Sequence, residues 1–310
     1  MPSGGAVAAI DCGTNSTRLL VTDSHGAPLE RQMRITRLGE GVDETGMLSP
    51  DAIHRCLSVL KDYRTVMDRH NVRRGRVVAT SAARDASNGE DFLRPATELT
   101  GYPTEVLTGV EEGRLSLAGA VADLDDVEGP FLVLDIGGGS TELVAGTGPQ
   151  DPELEVDSLQ IGCVRVTERY LDSDPPTASE LLAAESAVSK VLEETVGEHP
   201  RLLGARRLIG LAGTITTLAA LRIGLADYDR DQIHHSVLTV GDVMDWYRTL
   251  ASEDRSARLD RAGMVRGRED VIVAGAMILA AVMTRLEFEE CLVSEADILD
   301  GLVASQLSAG

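Results

Sequence analysis

The sequence contains one strand–turn–strand pattern twice, with the second copy starting 124 residues after the first. In each copy a short apolar run, predicted to be a buried strand, ends in an aspartate, a glycine-containing turn and a second apolar run. Aligning residues 11–19 with 135–143 matches five of nine positions, as Asp, Gly, Ser, Thr and Leu. Because such self-similarity indicates duplication, the chain is predicted to contain two related units with a cleft between them.

Strands alternate with helices along the rest of the chain, which predicts an α/β fold. The acidic stretch 123–130 is predicted to connect two domains, 1–124 and 125–310, and the final helix could pack back on the first. Ser49 is predicted to cap a helix that has Pro50 near its first turn. The predicted helices cover 51–69, 110–122, 179–196 and 297–307, and the predicted strands cover 77–80, 104–107, 207–212 and 290–295, with 81–88 a polar loop or short helix.

Composition excludes several classes of protein. A formal net charge of -21 argues against sequence-independent nucleic-acid binding, although a few arginines in one cleft could still bind a small anion. The longest apolar run, 271–283, is too short to span a bilayer, and no secretion signal is visible. Four scattered cysteines argue against a disulfide framework or a zinc site. We therefore expect a cytoplasmic protein with neither nucleic-acid nor membrane partners.

The two glycine turns are candidate phosphate-binding loops. Glycine after a strand lets backbone N–H groups point at an anion, and serine and threonine hydroxyls add donors. Asp11 and Asp135, one at each strand end, suit a Mg²⁺ held through water and substrate phosphate. The alternative is a plain hairpin turn, which fits one loop better than a matched pair. The predicted phosphate-binding residues of the loops are Gly13, Thr14, Asn15, Ser16, Gly137, Gly138, Gly139, Ser140 and Thr141.

At these residues the chain resembles the exopolyphosphatase / guanosine pentaphosphate phosphohydrolase family. The resemblance implies two duplicated ribonuclease-H-like (actin-like ATPase) domains with an interdomain active-site cleft. Long family members carry an extra C-terminal helical domain, so 310 residues suggest the short, two-domain class common in actinobacteria. An arginine-rich composition, with lysine only at Lys61 and Lys190, agrees with that source. The matching segments are 11–16, 79–86, 109–115, 135–142, 210–217, 267–275 and 293–295.

The family's catalytic glutamate falls on the Glu111-Glu112 pair, and the resemblance selects Glu112, directly before Gly-Arg. Such a carboxylate would act on the attacking water. For Glu111 we favour a simpler role, an acidic residue that complements the helix dipole. Glu142 is interpreted as a metal or water ligand beside Asp135, with a solvated strand position as the alternative.

Arginine and histidine candidates carry weaker signals. Arg84 follows a strand end, where its guanidinium could bind phosphate oxygens through two donors, and Arg18 is a second candidate that could equally be a surface residue. Adjacent histidines point to opposite sides of a strand, so His234 and His235 are expected to contact phosphate or to pack rather than share a metal. Trp246 is predicted to be helix core. Gly213 and Thr214, at a helix start, complete the predicted phosphate-binding set.

The resemblance implies hydrolysis of the terminal phosphoanhydride of inorganic polyphosphate, of short to medium length, with Mg²⁺ and with Mn²⁺ as a possible substitute. Guanosine pentaphosphate is the alternative substrate, which would connect the chain to the stringent response. A small-molecule kinase or a nucleotide-sensing protein is the third hypothesis. A homodimer is expected.

Overall fold

The computed structural model describes residues 5–124 and 129–308. Within them the chain forms two compact units. The first runs up to Gly119 and resumes at Asp297, and the second is Ala120–Ala296. The predicted connection at 123–130 includes residues 125–128, which lie outside the described part, so the predicted boundary at 124/125 stays a prediction.

The first unit is built on a five-stranded sheet. Its strands are β1 (Val7–Cys12), β2 (Ser16–Thr22), β3 (Pro28–Ile35), β4 (Arg74–Ala79) and β5 (Thr104–Val106). Its first five helices are α1 (Val42–Thr45), α2 (Pro50–Arg69), α3 (Ser81–Asp85), α4 (Glu90–Thr100) and α5 (Gly109–Ala120). The strand order is β3-β2-β1-β4-β5, in which β1, β2 and β3 form an antiparallel meander and β4 and β5 run parallel to β1.

The second unit has a six-stranded sheet. Its strands are β6 (Phe131–Ile136), β7 (Thr141–Gly146), β8 (Glu155–Leu159), β9 (Arg207–Leu211), β10 (Val237–Thr239) and β11 (Glu290–Val293). Its helices are α6 (Cys163–Tyr170), α7 (Ala178–Glu198), α8 (Ala212–Ile223), α9 (Arg230–Ile233), α10 (Val240–Ala251), α11 (Arg255–Leu259) and α12 (Ile272–Arg285). The strand order is β10-β11-β9-β6-β7-β8.

The two sheets share one topology. In each, a three-stranded antiparallel meander is extended by two strands parallel to the first, and the second sheet adds β10 antiparallel to β11. The register also repeats, because Asp11 lies opposite Arg18 and Asp135 lies opposite Glu142. The duplicated α/β fold predicted from the repeat is therefore confirmed, and so is the ribonuclease-H-like architecture that the resemblance implies.

The chain's last helix, α13 (Ile298–Ser308), packs on the first unit's sheet. Ile298 and Leu302 join a buried cluster with Ala9 and Leu20. The Gln306 side chain donates to the Ala8 carbonyl at 3.0 Å. This helix therefore covers the strands that lead into the first glycine turn.

Local sequence signals account for the ends of several helices. Ser49 caps α2, where its hydroxyl accepts from the Ala52 N–H at 3.2 Å and Pro50 occupies the first turn. Thr177 and Glu180 form a capping box at the start of α7. Across 5–124 and 129–308, no helix combines the length and apolar character needed to cross a bilayer.

Candidate active site

Backbone hydrogen bonds fix the first glycine turn. The Gly13 N–H donates to the Ser16 carbonyl at 2.9 Å, which closes a tight turn between β1 and β2. The Asn15 carbonyl accepts from the N–H groups of Thr36 and Arg37 at 3.0 and 2.9 Å. The Thr14 hydroxyl shares a hydrogen bond of 2.8 Å with that of Ser81. Hydrogen bonds to the segment after β3 and to α3 thus fix the turn in the absence of a ligand.

Asp11 closes β1 with a buried carboxylate. Its Oδ2 accepts from Nε and Nη2 of Arg18 at 3.0 and 2.6 Å. Its Oδ1 is buried and has no hydrogen-bond partner within the described residues. Burial raises the pKa of the Asp11 carboxyl above its ordinary value, and the adjacent Arg18 guanidinium opposes that rise. An uncompensated carboxylate oxygen at a phosphate-loop candidate fits a hydrated Mg²⁺.

Arg18 has a second carboxylate partner besides Asp11. Its Nη1 donates to Oδ2 of Asp297, the residue that precedes α13. Both ends of the guanidinium are therefore engaged by protein carboxylates in this structure. A phosphate contact by Arg18 would compete with these ion pairs, and it stays a prediction.

Glu112 and Arg84 form a buried carboxylate–guanidinium pair in the first unit. Glu112 lies in the first turns of α5 and is 8% exposed. Nη1 of Arg84, at the end of α3, donates to Glu112 Oε2 at 3.2 Å and to the Leu107 carbonyl at 2.8 Å. Arg84 Nη2 is buried and makes no hydrogen bond to the described part of the chain. The Arg84 guanidinium thus orients Glu112 through Nη1, while Nη2 is available to donate to a ligand.

Glu111 does a different job from its neighbour. Its carboxylate accepts from the backbone N–H and the hydroxyl of Thr108 at 2.9 and 2.8 Å, and its own N–H donates back to that hydroxyl. This reciprocal pattern is a capping box at the start of α5. The hydrogen bonds from Thr108 lower the pKa of the exposed Glu111 carboxyl. Glu111 therefore stabilises the helix that carries Glu112.

The second glycine turn repeats the first. The Gly137 N–H donates to the Ser140 carbonyl at 3.0 Å, and the Gly138 carbonyl accepts from the backbone N–H groups of residues 164 and 165. Arg165 Nε donates to the Gly139 carbonyl at 2.7 Å. The Thr141 hydroxyl is fully buried and donates to the Ile161 carbonyl. Because that hydroxyl is already bonded to the Ile161 carbonyl, a phosphate contact by Thr141 would have to come from its backbone N–H.

Asp135 and Glu142 place two carboxylates at one register position of the second sheet. Both are buried, and Ser158 Oγ donates to Glu142 Oε1 at 2.8 Å. Directly opposed residues on adjacent antiparallel strands have Cβ atoms about 5 Å apart. The equivalent position of the first sheet pairs a carboxylate with Arg18 instead. The second turn therefore has two carboxylates where the first has one, and carboxylate oxygens suit a divalent cation.

Gly213 and Thr214 lie in the first turn of α8, which follows β9 directly, at the helix start where they were predicted. Ala212 has a φ of 65°, so the chain turns sharply from the strand into the helix. A Cβ placed on Gly213 would lie 1.0 Å from Arg268 Nη1, so only glycine admits that guanidinium. Sequence reasoning gave Arg268 no role. Arg268 lies within the 267–275 motif, and this position was the only sequence signal for it. Because the sequence is rich in arginine, one more arginine did not stand out.

The structure brings His234, His235 and Asp123 together in the second unit. The histidine rings stack 3.8 Å apart, because they follow α9 rather than lie in a strand and His235 has a φ of 60°. The expectation that they point to opposite sides was therefore wrong. His234 Nδ1 accepts from the Glu295 N–H, and Nε2 lies 2.9 Å from Asp123 Oδ2.

That bonding pattern places the His234 proton on Nε2, which is then occupied by Asp123. Since Nδ1 is engaged by the Glu295 N–H, Nε2 is the His234 nitrogen that faces Asp123. Burial and the neighbouring His234 lower the pKa of His235, which favours its neutral form. The ligand atoms of the three side chains lie within 4.8 Å of one another, and the expectation that the histidines do not share a metal stays a prediction.

Trp246, predicted to be helix core, is half-buried in α10, where the Arg261 guanidinium lies 5.3 Å from the centre of its ring.

Comparisons with known proteins define the class. The Ppx/GppA phosphatase family matches residues 20–309. "Exopolyphosphatase 2" of Mycobacterium tuberculosis is 43% identical over 96% of this chain and 98% of its own length. The crystal structure of an exopolyphosphatase-like protein superposes with a TM-score of 0.91 at 34% identity, covering 98% of this chain and 99% of the other. A Ppx/GppA family member from Aquifex aeolicus gives 0.79 at 34% identity, covering 99% and 98%.

Fold and sequence therefore agree on a phosphatase. The chain belongs to the Ppx/GppA phosphatase family.

Proposed function

We propose that this chain is a Mg²⁺-dependent exopolyphosphatase that releases orthophosphate from the end of linear inorganic polyphosphate. The relative named "Exopolyphosphatase 2" supports this substrate class, since its similarity spans nearly all of both chains. The observation that carries the reaction type is the buried Glu112 carboxylate held by Arg84. Water, rather than an alcohol, is the proposed acceptor.

Glu112 would act as the base that orients and deprotonates the attacking water. The Glu111 capping box fixes the start of α5, and the ion pair with Arg84 orients the Glu112 carboxylate before substrate binds. Such preorganisation matters because a base must lie within hydrogen-bond reach of the water in line with the leaving oxygen. Removing a base of this kind slows reactions by roughly 10²–10⁴-fold.

Arg84 and the loop amides would bind the terminal phosphoryl group. Nη2 of Arg84 is a buried, charged donor with no hydrogen-bond partner among the described residues, so a phosphate oxygen would satisfy it directly. Backbone N–H groups of the two glycine turns would supply uncharged donors that need no rearrangement. These donors would stabilise the charge that develops on the transferring group.

Asp11, Asp135 and Glu142 are the residues that would hold Mg²⁺. Asp11 Oδ1, which is buried without a partner among the described residues, and the opposed carboxylates of the second turn give oxygen donors of the type that this cation prefers. When bound, Mg²⁺ supplies charge neutralisation at phosphate oxygens. The protein's own contribution is to place these carboxylates at the ends of β1, β6 and β7.

The test is orthophosphate release, with no acceptor added, from polyphosphate of defined lengths, guanosine pentaphosphate and ATP, measured side by side. We expect polyphosphate to give the highest kcat/KM and release to require Mg²⁺. A higher kcat/KM for guanosine pentaphosphate would assign the chain to that nucleotide instead. Phosphate transfer seen only with an added acceptor would make it a kinase.

A further inference from the structure

We propose that Asp297 is a positioning residue which, through Arg18, keeps the first phosphate loop receptive to a divalent cation. This inference rests on the proposed function, because it assigns a partner to the proposed metal ligand Asp11. Asp297 would touch neither substrate nor metal. It would act on the guanidinium that lies against Asp11.

Arg18 is shared between the two carboxylates. Nε and Nη2 donate to Asp11 Oδ2, while Nη1 donates to Asp297 Oδ2. This geometry leaves Asp11 Oδ1 without a partner in the described residues. A guanidinium bound by Asp11 alone would be free to swing and cover both oxygens, as bidentate arginine–carboxylate pairs do. Asp297 holds Arg18 to one side of Asp11.

Asp297 is itself fixed by the last helix. Its Oδ1 caps α13 by accepting from the Leu299 N–H at 2.9 Å. Its backbone N–H donates to Asp300 Oδ2 at 2.9 Å, and Asp300 binds Arg31 at 2.6 Å. Arg31 also approaches Asp297 Oδ1 at 3.7 Å. Because α13 packs on the sheet that contains Asp11, this carboxylate has little freedom to follow Arg18 elsewhere.

The duplicated loop explains why such a carboxylate is needed. At the position of Arg18 the second turn has Glu142, so the residue opposed to its aspartate carries a negative charge. The first turn carries an arginine that would neutralise Asp11 and repel a cation. Asp297 offsets that positive charge. Its loss should weaken cation binding and, by the same Coulomb sign, strengthen the binding of a bare phosphate anion.

Asp297→Asn tests the idea with little risk to folding, because asparagine also caps helices. Asp254→Asn is the matched control, since Asp254 caps α11 by accepting from the Ala257 N–H at 2.8 Å. Mn²⁺ binding is measured by electron paramagnetic resonance and orthophosphate binding by calorimetry, both without turnover. We expect about tenfold weaker Mn²⁺ binding and unchanged or tighter orthophosphate binding for Asp297→Asn, and wild-type values for the control.

The double variant Arg18→Gln/Asp297→Asn separates charge from architecture. Removing both charges should return Mn²⁺ affinity towards the wild-type value, whereas a purely structural loss would stay or deepen. Unchanged Mn²⁺ affinity in Asp297→Asn, or no recovery in the double variant, would overturn the proposal while leaving the proposed function intact. A wild-type protein that releases no phosphate and binds no Mn²⁺ would overturn both.

Discussion

Arg18 and Glu142 occupy equivalent positions in the two repeats and carry opposite charges. The alignment of the repeats predicts this equivalence, and the strand registers confirm it. Sequence could not predict what each residue contacts. Asp297 reaches Arg18 across 279 residues, and no local pattern encodes a contact at that separation. Contacts between charged side chains far apart in sequence are therefore the part of this site that the sequence does not predict.

Removing the proposed metal carboxylates should raise the Mg²⁺ requirement. We expect Asp11→Ala and Asp135→Ala each to shift the Mg²⁺ concentration for half-maximal phosphate release upward by tenfold or more, about the loss of one charged ligand. Asp68→Ala is the control, because that carboxylate is 58% exposed and pairs with Arg64 on α2. Titration curves that coincide with wild type for both loop variants would remove these residues from the metal site.

Arg84→Lys should separate charge from hydrogen-bond geometry. Lysine keeps the positive charge, but a single ammonium cannot hold the Leu107 carbonyl, Glu112 and a phosphate oxygen in the arrangement of a guanidinium fork. We expect kcat/KM to fall by about 10- to 100-fold, the effect of one or two charge-assisted hydrogen bonds. The exposed Arg69→Lys provides the comparison. Equal kinetics for both variants would mean that charge alone suffices at position 84.

At the scale of elements, apolar patterning and capping residues predicted the bounds of four helices, including α5, which carries Glu112. α2, α5, α7 and α13 start and end within two or so residues of their predicted bounds. The strands β3, β8 and β10 were not predicted. β3 and β8 are half-exposed edge strands with charged residues, and β10 has only three residues, so none shows an apolar run. Edge pairing is decided by neighbours, which sequence patterning does not report.

The close crossing of α5 and α13 gives a prediction on stability. A Cβ on Gly301 would lie 2.1 Å from the Leu115 carbonyl oxygen, which is backbone and cannot move aside cheaply. Gly301→Ala should destabilise the protein by about 1–3 kcal/mol through overpacking. Gly197→Ala, within α7 and with open space around its Cβ in the described structure, should instead stabilise by about 0.5–1 kcal/mol. Denaturant unfolding measures both, and a neutral Gly301→Ala would show that the helices can separate there.

For the molecule as a whole, charge sets the expected response to substrate length. A formal net charge of -21 repels phosphates that extend beyond the bound end of a polymer. Only the few phosphates near the site release counterions on binding. We therefore expect kcat/KM to level off at short to medium chain lengths, with a shallow dependence on salt. A steady rise towards chains of hundreds of phosphates would reveal an extended channel.

The duplicated fold, the family and the identity of Glu112 as candidate base were all predicted from sequence motifs. Arg268 beside Gly213 was missed, and the orientation of His234 and His235 was mispredicted, because both depend on turns whose backbone angles leave no clear mark in the residues. What sequence predicts well is the order of elements. The placement of side chains at their ends comes from packing.

Glu111 and Glu112 provide the most direct test, because these adjacent glutamates of α5 are assigned different roles. Glu111 caps the helix, and Glu112 is the proposed catalytic base. Orthophosphate release from a polyphosphate of defined length is measured for Glu112→Gln and Glu111→Gln, with melting curves for both. The proposed roles predict a loss of roughly 10²–10⁴-fold in kcat for Glu112→Gln, with wild-type melting, because only the proton acceptor is removed. Glu111→Gln, which can still cap α5, should retain turnover within a few-fold. Wild-type turnover in Glu112→Gln, or an equal loss in both variants, would contradict Glu112 as the catalytic base.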